Sequence, residues 1–132
     1  MRKVTAAVIE KDGAVLVARR KKTDRFGGLW EFPGGKLEAG ESPEEGLRRE
    51  LKEELNLETS IGPFLGGFPY VSRYLDIELL AFRVTILSGD LVLTDHDEVR
   101  WARIGDLREF DFAEPDLPLV ELLGQSLPGR AR

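Results

Sequence analysis

The stretch from Ser42 to Leu55 constrains this chain more than any other. Ser42 suits an N-cap, Pro43 the first helical position, and Glu45 completes a capping box. Leu47, Leu51 and Leu55 recur at i, i+4 and i+8, so one stripe of a helix is buried. Asn56 provides a left-handed stop. On a wheel of about 100° per residue, from ~3.6 residues per turn, Glu50, Glu53 and Glu54 fall on the arc beside that stripe. Arg48, Arg49 and Lys52 lie on or near the remaining side. Carboxylates crowded in this way repel, and without a partner one of them takes up a proton. A hard divalent cation removes that penalty, and Mg²⁺ prefers a few carboxylates together with water and phosphate oxygens. The competing reading is a solvated acidic face paired with its own arginines.

The rest of the chain supplies strands. Val4 to Glu10, the turn Lys11-Asp12-Gly13 and Ala14 to Ala18 read as a hairpin. Residues 21–29 and 36–42 read as loops, with a short strand Trp30-Glu31-Phe32 stopped by Pro33-Gly34-Gly35. Strand-like runs follow near 64–71, 76–87 and 98–104, then a helix from Asp116 to Leu123 and a frayed tail from Gln125. Strands interleaved with two helices predict an α/β (α+β) fold, a mixed sheet between helices. At roughly 100–200 residues per domain, 132 residues make a single domain, 1–132.

Composition narrows the function classes. Without cysteine there are no disulfides, thiolate metal sites or cysteine nucleophiles. With His96 the one histidine, a multi-histidine metal site is excluded. Nineteen basic against twenty-four acidic residues, a net charge of −5, disfavour a nucleic acid polymer or an anionic membrane as partner. The absence of a long apolar run or signal segment makes the cytoplasm the default location. The first 36 residues are nevertheless basic, including Arg19, Arg20, Lys21 and Lys22, and 41–58 are dense in glutamate. That polarity suits an anion that carries metal ions.

Gly35, Glu41 and then Arg49-Glu50-Leu51-Lys52-Glu53-Glu54-Leu55-Asn56-Leu57 resemble the Nudix box, over 23 positions from Gly35 to Leu57. Asn56 stands where that family usually has glycine; Asn is the next-best residue for a left-handed stop. Leu29 to Lys36 is similar to the segment before the box in MutT-type and CTP-pyrophosphohydrolase-type members, and Pro115-Asp116-Leu117-Pro118-Leu119 resembles their C-terminal substrate segment.

The resemblance implies a Nudix fold and a Mg²⁺- or Mn²⁺-dependent hydrolase that converts a nucleoside triphosphate to the monophosphate and pyrophosphate. The expected substrate is 8-oxo-dGTP or a cytosine nucleotide. A nucleotide-binding sensor without turnover and a hydrolase of another nucleoside diphosphate derivative are the alternatives. It further implies Glu50, Glu53 and Glu54 as metal ligands, with the Gly34 carbonyl as an extra one, and Arg49 as the residue that orients Glu41 or a box glutamate. The general base is Glu53 or an acid of the segment Asp95-His96-Asp97-Glu98, where Asp97 and Glu98 are candidates and Glu98 is favoured. His96 is expected on the surface of that loop. Arg20 is expected on the nucleotide and Lys36 on phosphate, while Phe32 either walls the base pocket or joins the core. Asp116 either reads the base or caps the last helix. The chain is expected to act as a monomer or homodimer.

Overall fold

The computed structural model describes residues 1–125. The strands are β1 (Arg2–Lys11), β2 (Ala14–Arg20), β3 (Trp30–Glu31), β4 (Glu58–Val71), β5 (Asp76–Ser88) and β6 (His96–Arg103). The helices are α1 (Pro43–Leu55) and α2 (Leu117–Gln125), the second preceded by 3₁₀ turns at Ile104–Glu109 and Glu114–Asp116. The sheet runs β3-β2-β1-β5-β4, with β6 paired to β2. β1 and β5 are parallel and every other strand pair is antiparallel, so the sheet is mixed. The expected tail beyond Gln125 lies outside the described residues.

Alternation along β1 builds both cores. Ala7 and Ile9 face α1, where they join Leu47, Leu51, Leu55 and Phe82. Ala6 and Val8 face the opposite layer with Phe32, Phe112, Leu119 and Leu123. Helices therefore cover both faces, as the patterning predicts. The α1 signals hold in detail. Ser42 Oγ accepts from Glu45 N–H at 3.1 Å, Glu45 Oε1 accepts from Ser42 N–H at 2.9 Å, and Asn56 adopts φ 61°.

One departure from a simple hairpin creates the site. β1 and β2 pair only beside their turn, at Glu10↔Val15 and Lys11↔Ala14, and then diverge. The chain from Trp30 to Lys36 fills the opening. Trp30 and Glu31 pair with β2, after which Ala7 N–H donates to the Pro33 carbonyl (2.7 Å) and Thr5 N–H to the Gly35 carbonyl (2.8 Å). Gly34 must be glycine for this crossing: a Cβ there would stand 2.0 Å from the Thr5 carbonyl oxygen, at φ +156°.

Candidate active site

The last turn of α1 leaves carbonyls without helical partners. Val92 N–H bonds to the Leu55 carbonyl (3.1 Å), Thr94 N–H to the Glu54 carbonyl (3.2 Å), and Asn56 Nδ2 donates to the Asp90 carbonyl (3.0 Å). Lys21 Nζ adds a bond to the Thr94 carbonyl at 2.7 Å. These bonds dock the segment before β6 on the helix end and place Asp95 and His96 beside Glu54. Together with Gly34, Glu31, Arg20 and Asp24 they line a polar cavity of about 260 Å³.

Arg49 organises the glutamates. Its Nε and Nη2 grip both oxygens of Glu41, at 2.6 and 2.9 Å. Nη1 reaches Glu50 (3.0 Å) and Glu53 (3.1 Å), and Nη2 also reaches the Lys36 carbonyl (3.2 Å). This fork holds Glu41 far below the ordinary carboxylate range, at about 2, helped by the Glu38 N–H. The basic and acidic residues of α1 are thus less segregated than the wheel predicts: Arg49 reaches across to the acids, while Lys52 pairs with Glu58 at 3.2 Å.

Glu54 behaves as crowding demands. Burial, a hydrogen bond with Glu50, and the charges of Glu50, Glu31 and Asp95 push its carboxyl up to about 10. One proton stands between two acids that would otherwise repel. Gly35 makes room for the pair, since a Cβ there would lie 2.5 Å from the Glu50 carboxyl carbon. The third box acid is placed differently. Glu53 is 58% exposed and turned onto Arg49. Among the described residues, no three carboxylate or imidazole groups already converge on one point. The donors that do meet are all oxygen, a set suited to Mg²⁺ or Mn²⁺, and a cation there would take the place of the shared proton.

A second cavity, of about 300 Å³, adjoins the first. Arg20 and Glu31 line both. Phe32, Lys36, Arg25, Phe26 and Asp116 line the second alone. Phe32 serves two purposes: it lines this cavity and stacks on Phe112 in the core, 5.1 Å between centroids at 23°. Asp116 is 5% exposed, and its Oδ2 accepts from Phe32 N–H at 2.9 Å. That bond ties the C-terminal segment to the β3 end, so the carboxyl faces inward and not along α2 as a cap. Burial and the neighbouring Glu31 charge raise it well above the ordinary aspartate range, against the opposing pull of Phe32 N–H and Arg20.

The segment 95–98 departs from expectation. It is not a solvated loop, because β6 begins at His96, paired with Arg20 past a register shift in β2. His96 is 4% exposed, with Nε2 2.8 Å from Glu31 Oε2. Asp97 and Glu98 are bound by Arg19 at 2.7 and 3.2 Å, and Glu98 also by Arg100 at 2.5 Å. Neither lines the first cavity; Asp95 does. Sequence reading passed over Asp95 and Glu31. Alternation running back from the buried Ala102 through the exposed Arg100 does not mark His96 as buried, and nothing local marks where that strand begins.

Similarity to known proteins extends over nearly the whole chain. The family model described as the NUDIX domain matches residues 1–123. A protein of Escherichia coli K12 named CTP pyrophosphohydrolase is 36% identical over 121 residues, covering 92% of this chain and 90% of its own length. One of Mycobacterium tuberculosis H37Rv, named putative 8-oxo-dGTP diphosphatase 2, is 34% identical over 131 residues, covering 97% and 92%. The solution structure of the E. coli ORF135 protein aligns with a TM-score of 0.82 at 33% identity, over 98% of this chain and 95% of the other. A match spanning the strands, the glutamate helix and the C-terminal segment together places this chain in the Nudix family of hydrolases.

Proposed function

We propose that this enzyme hydrolyses a nucleoside triphosphate to the monophosphate and pyrophosphate, with cytosine or oxidised guanine as the base. The observation that carries the reading is the adjacency of the two cavities. One presents the buried carboxyl of Asp116 beside Phe32, and the other is lined by Glu54 and Gly34; Arg20 and Glu31 stand between them. A base in the first cavity directs its phosphates past Arg20 to the second.

In its protonated form, which burial and the Glu31 charge favour, the Asp116 carboxyl offers one donor and one acceptor. Adjacent N3 and N4–H₂ of cytosine match that pair, as do O6 and N1–H of a guanine. The CTP pyrophosphohydrolase relative favours the cytosine nucleotide. The relative named an 8-oxo-dGTP diphosphatase favours the second base.

Nudix hydrolases generally use a divalent metal. Glu50, Glu54 and Glu53 would hold it, with the Gly34 carbonyl, and it would supply neutralisation of phosphate charge and polarisation of phosphorus. The chain's own residues do the positioning. Arg49 fixes Glu41, Glu50 and Glu53 as one unit. Lys36 and Arg20 neutralise phosphate oxygens. Glu53, open to solvent and held by Arg49, takes the proton of the attacking water in this reading. Glu98 is less suited to that role, because Arg19 and Arg100 occupy its carboxylate.

A panel of CTP, dCTP, 5-methyl-dCTP, 8-oxo-dGTP and the ordinary triphosphates, assayed with Mg²⁺ for pyrophosphate release, tests the proposal. A cytosine or 8-oxoguanine nucleotide should lead the ranking. Release of orthophosphate alone, or no turnover of any member, overturns it.

A further inference from the structure

His96 is buried in a way that filling space does not explain. Its side chain is 2% exposed, Nε2 faces Glu31 Oε2 at 2.8 Å, and Nδ1 has no hydrogen-bond partner. A leucine or phenylalanine would fill the same volume without an orphaned polar atom. A carboxylate only accepts, so the nitrogen that faces it carries the hydrogen. A second proton on Nδ1 would leave a buried cationic donor unpaired, which costs more than an unpaired lone pair. The arrangement therefore places a hydrogen on Nε2, facing Glu31.

Glu31 has both oxygens engaged. Oε2 meets His96, and Oε1 accepts from Arg20 Nη1 at 2.9 Å. Arg20 Nε donates to the Arg25 carbonyl at 2.7 Å, which leaves Nη2 directed by the other two contacts. We propose that His96 is a positioning residue: by holding one oxygen of Glu31 it keeps that carboxylate from closing on Arg20 as a two-pronged pair, and so leaves Arg20 a donor for the nucleotide at the junction of the two cavities. Carboxylate and guanidinium form the two-pronged pair readily when nothing opposes it. The inference rests on the nucleotide reading of the cavities, and it adds a residue that does not touch the substrate.

The test starts from the intact protein. His96 is the one histidine in the chain, so the ¹⁵N imidazole spectrum has a single assignment. The nucleotide-free protein should show a protonated Nε2 and an unprotonated Nδ1. Titration with CTP or 8-oxo-dGTP, without added metal, should shift the Nε2 signal. A Nδ1–H tautomer, or a signal indifferent to saturating nucleotide, overturns the proposal whatever the variants do.

His96→Leu keeps volume and removes the donor. Its KM should rise about tenfold with kcat within about twofold, the loss expected of one positioned charge-assisted contact. His96→Gln carries an N–H near the Nε2 position and should recover most of that loss. A purely structural role lowers the melting temperature and the active fraction with KM unchanged, and that result refutes the proposal, as does His96→Gln behaving like His96→Leu. If no triphosphate is turned over, the function reading fails, while the tautomer and titration results still decide the role of His96.

Discussion

Replacing Gly35 by alanine tests where the Glu50 carboxylate must sit, without touching any charge. Gly35 is outside the left-handed region, so its backbone accepts an alanine. The added Cβ would stand 2.5 Å from the Glu50 carboxyl carbon and from Oε2, and 2.9 Å from Oε1. Ordinary contact between carbons is about 3.5–4.0 Å, so the carboxyl must retreat by roughly 1 Å. It is held by Arg49 Nη1 at 3.0 Å and by its hydrogen bond with Glu54, and a shift of that size breaks at least one of them. The end of a glutamate yields easily, so the stability cost is about one such bond, ~1–2 kcal/mol. Catalysis is less forgiving, since a misplacement of about 1 Å costs on the order of 10²-fold. Gly35→Ala should therefore lose about 10²-fold in kcat and require more Mg²⁺ for half-maximal rate. Steady-state assays across a Mg²⁺ series, with a urea melt beside them, read both quantities. A folded variant with unchanged kcat and unchanged Mg²⁺ dependence would show that Glu50 is not placed for the metal, and the reasoning about the box would fail with it.

Gly34→Ala should behave in the opposite sense. Its Cβ would meet a backbone oxygen at 2.0 Å, so a urea melt should show a loss of more than about 3 kcal/mol in place of a selective kinetic defect. Glu53→Gln removes charge at nearly constant volume from an exposed side chain; kcat should fall by about 10²–10³-fold with the melting temperature nearly unchanged, and a wild-type kcat removes Glu53 from the mechanism. Asp116→Asn keeps a donor and an acceptor but fixes which atom is which, so the ranking of bases should change more than the best rate, and an unaltered ranking leaves Asp116 with the Phe32 bond alone. Acid sensitivity should include a contribution from Glu41. Its folded pKa, about 2, lies below its ordinary 4.5, so the Arg49 pair contributes fully above about pH 4.5 and is lost as pH falls toward 2. In Arg49→Met, stability measured against pH should lose that part of the acid slope.

The half of the site that lies on α1 was legible because its rules are local. The capping box, the leucine stripe and the left-handed Asn56 each depend on residues within one or two turns, and each appears as the spacing predicts. The upward shift of the Glu54 carboxyl beside Glu50 follows the same local rule, since neighbours on one helix face cannot escape each other. What the wheel misjudged was Glu53, because a wheel gives a direction and not a partner: Arg49, on the adjacent arc, is long enough to fold over and hold it.

The other half depends on pairings across the chain. His96 meets Glu31 65 residues away, and Asp116 meets Phe32 at a separation of 84. Both contacts follow from the divergence of β1 and β2, which lets Trp30 to Lys36 enter the sheet and carries Glu31 between the cavities. No periodicity in the sequence encodes that divergence. The docking of residues 92–94 on the open carbonyls of α1 is a similar case: the helix end predicts that donors must come from somewhere, but not from which loop. β6 starts at His96, the register shift opposite Arg19 and Arg20 leaves Asp97 unpaired so that it and Glu98 both reach Arg19, and Asp95 lines the cavity. The acid of this segment that lines the cavity with Glu54 thus follows a backbone hydrogen bond one residue earlier, a long-range contact that residue type alone does not encode.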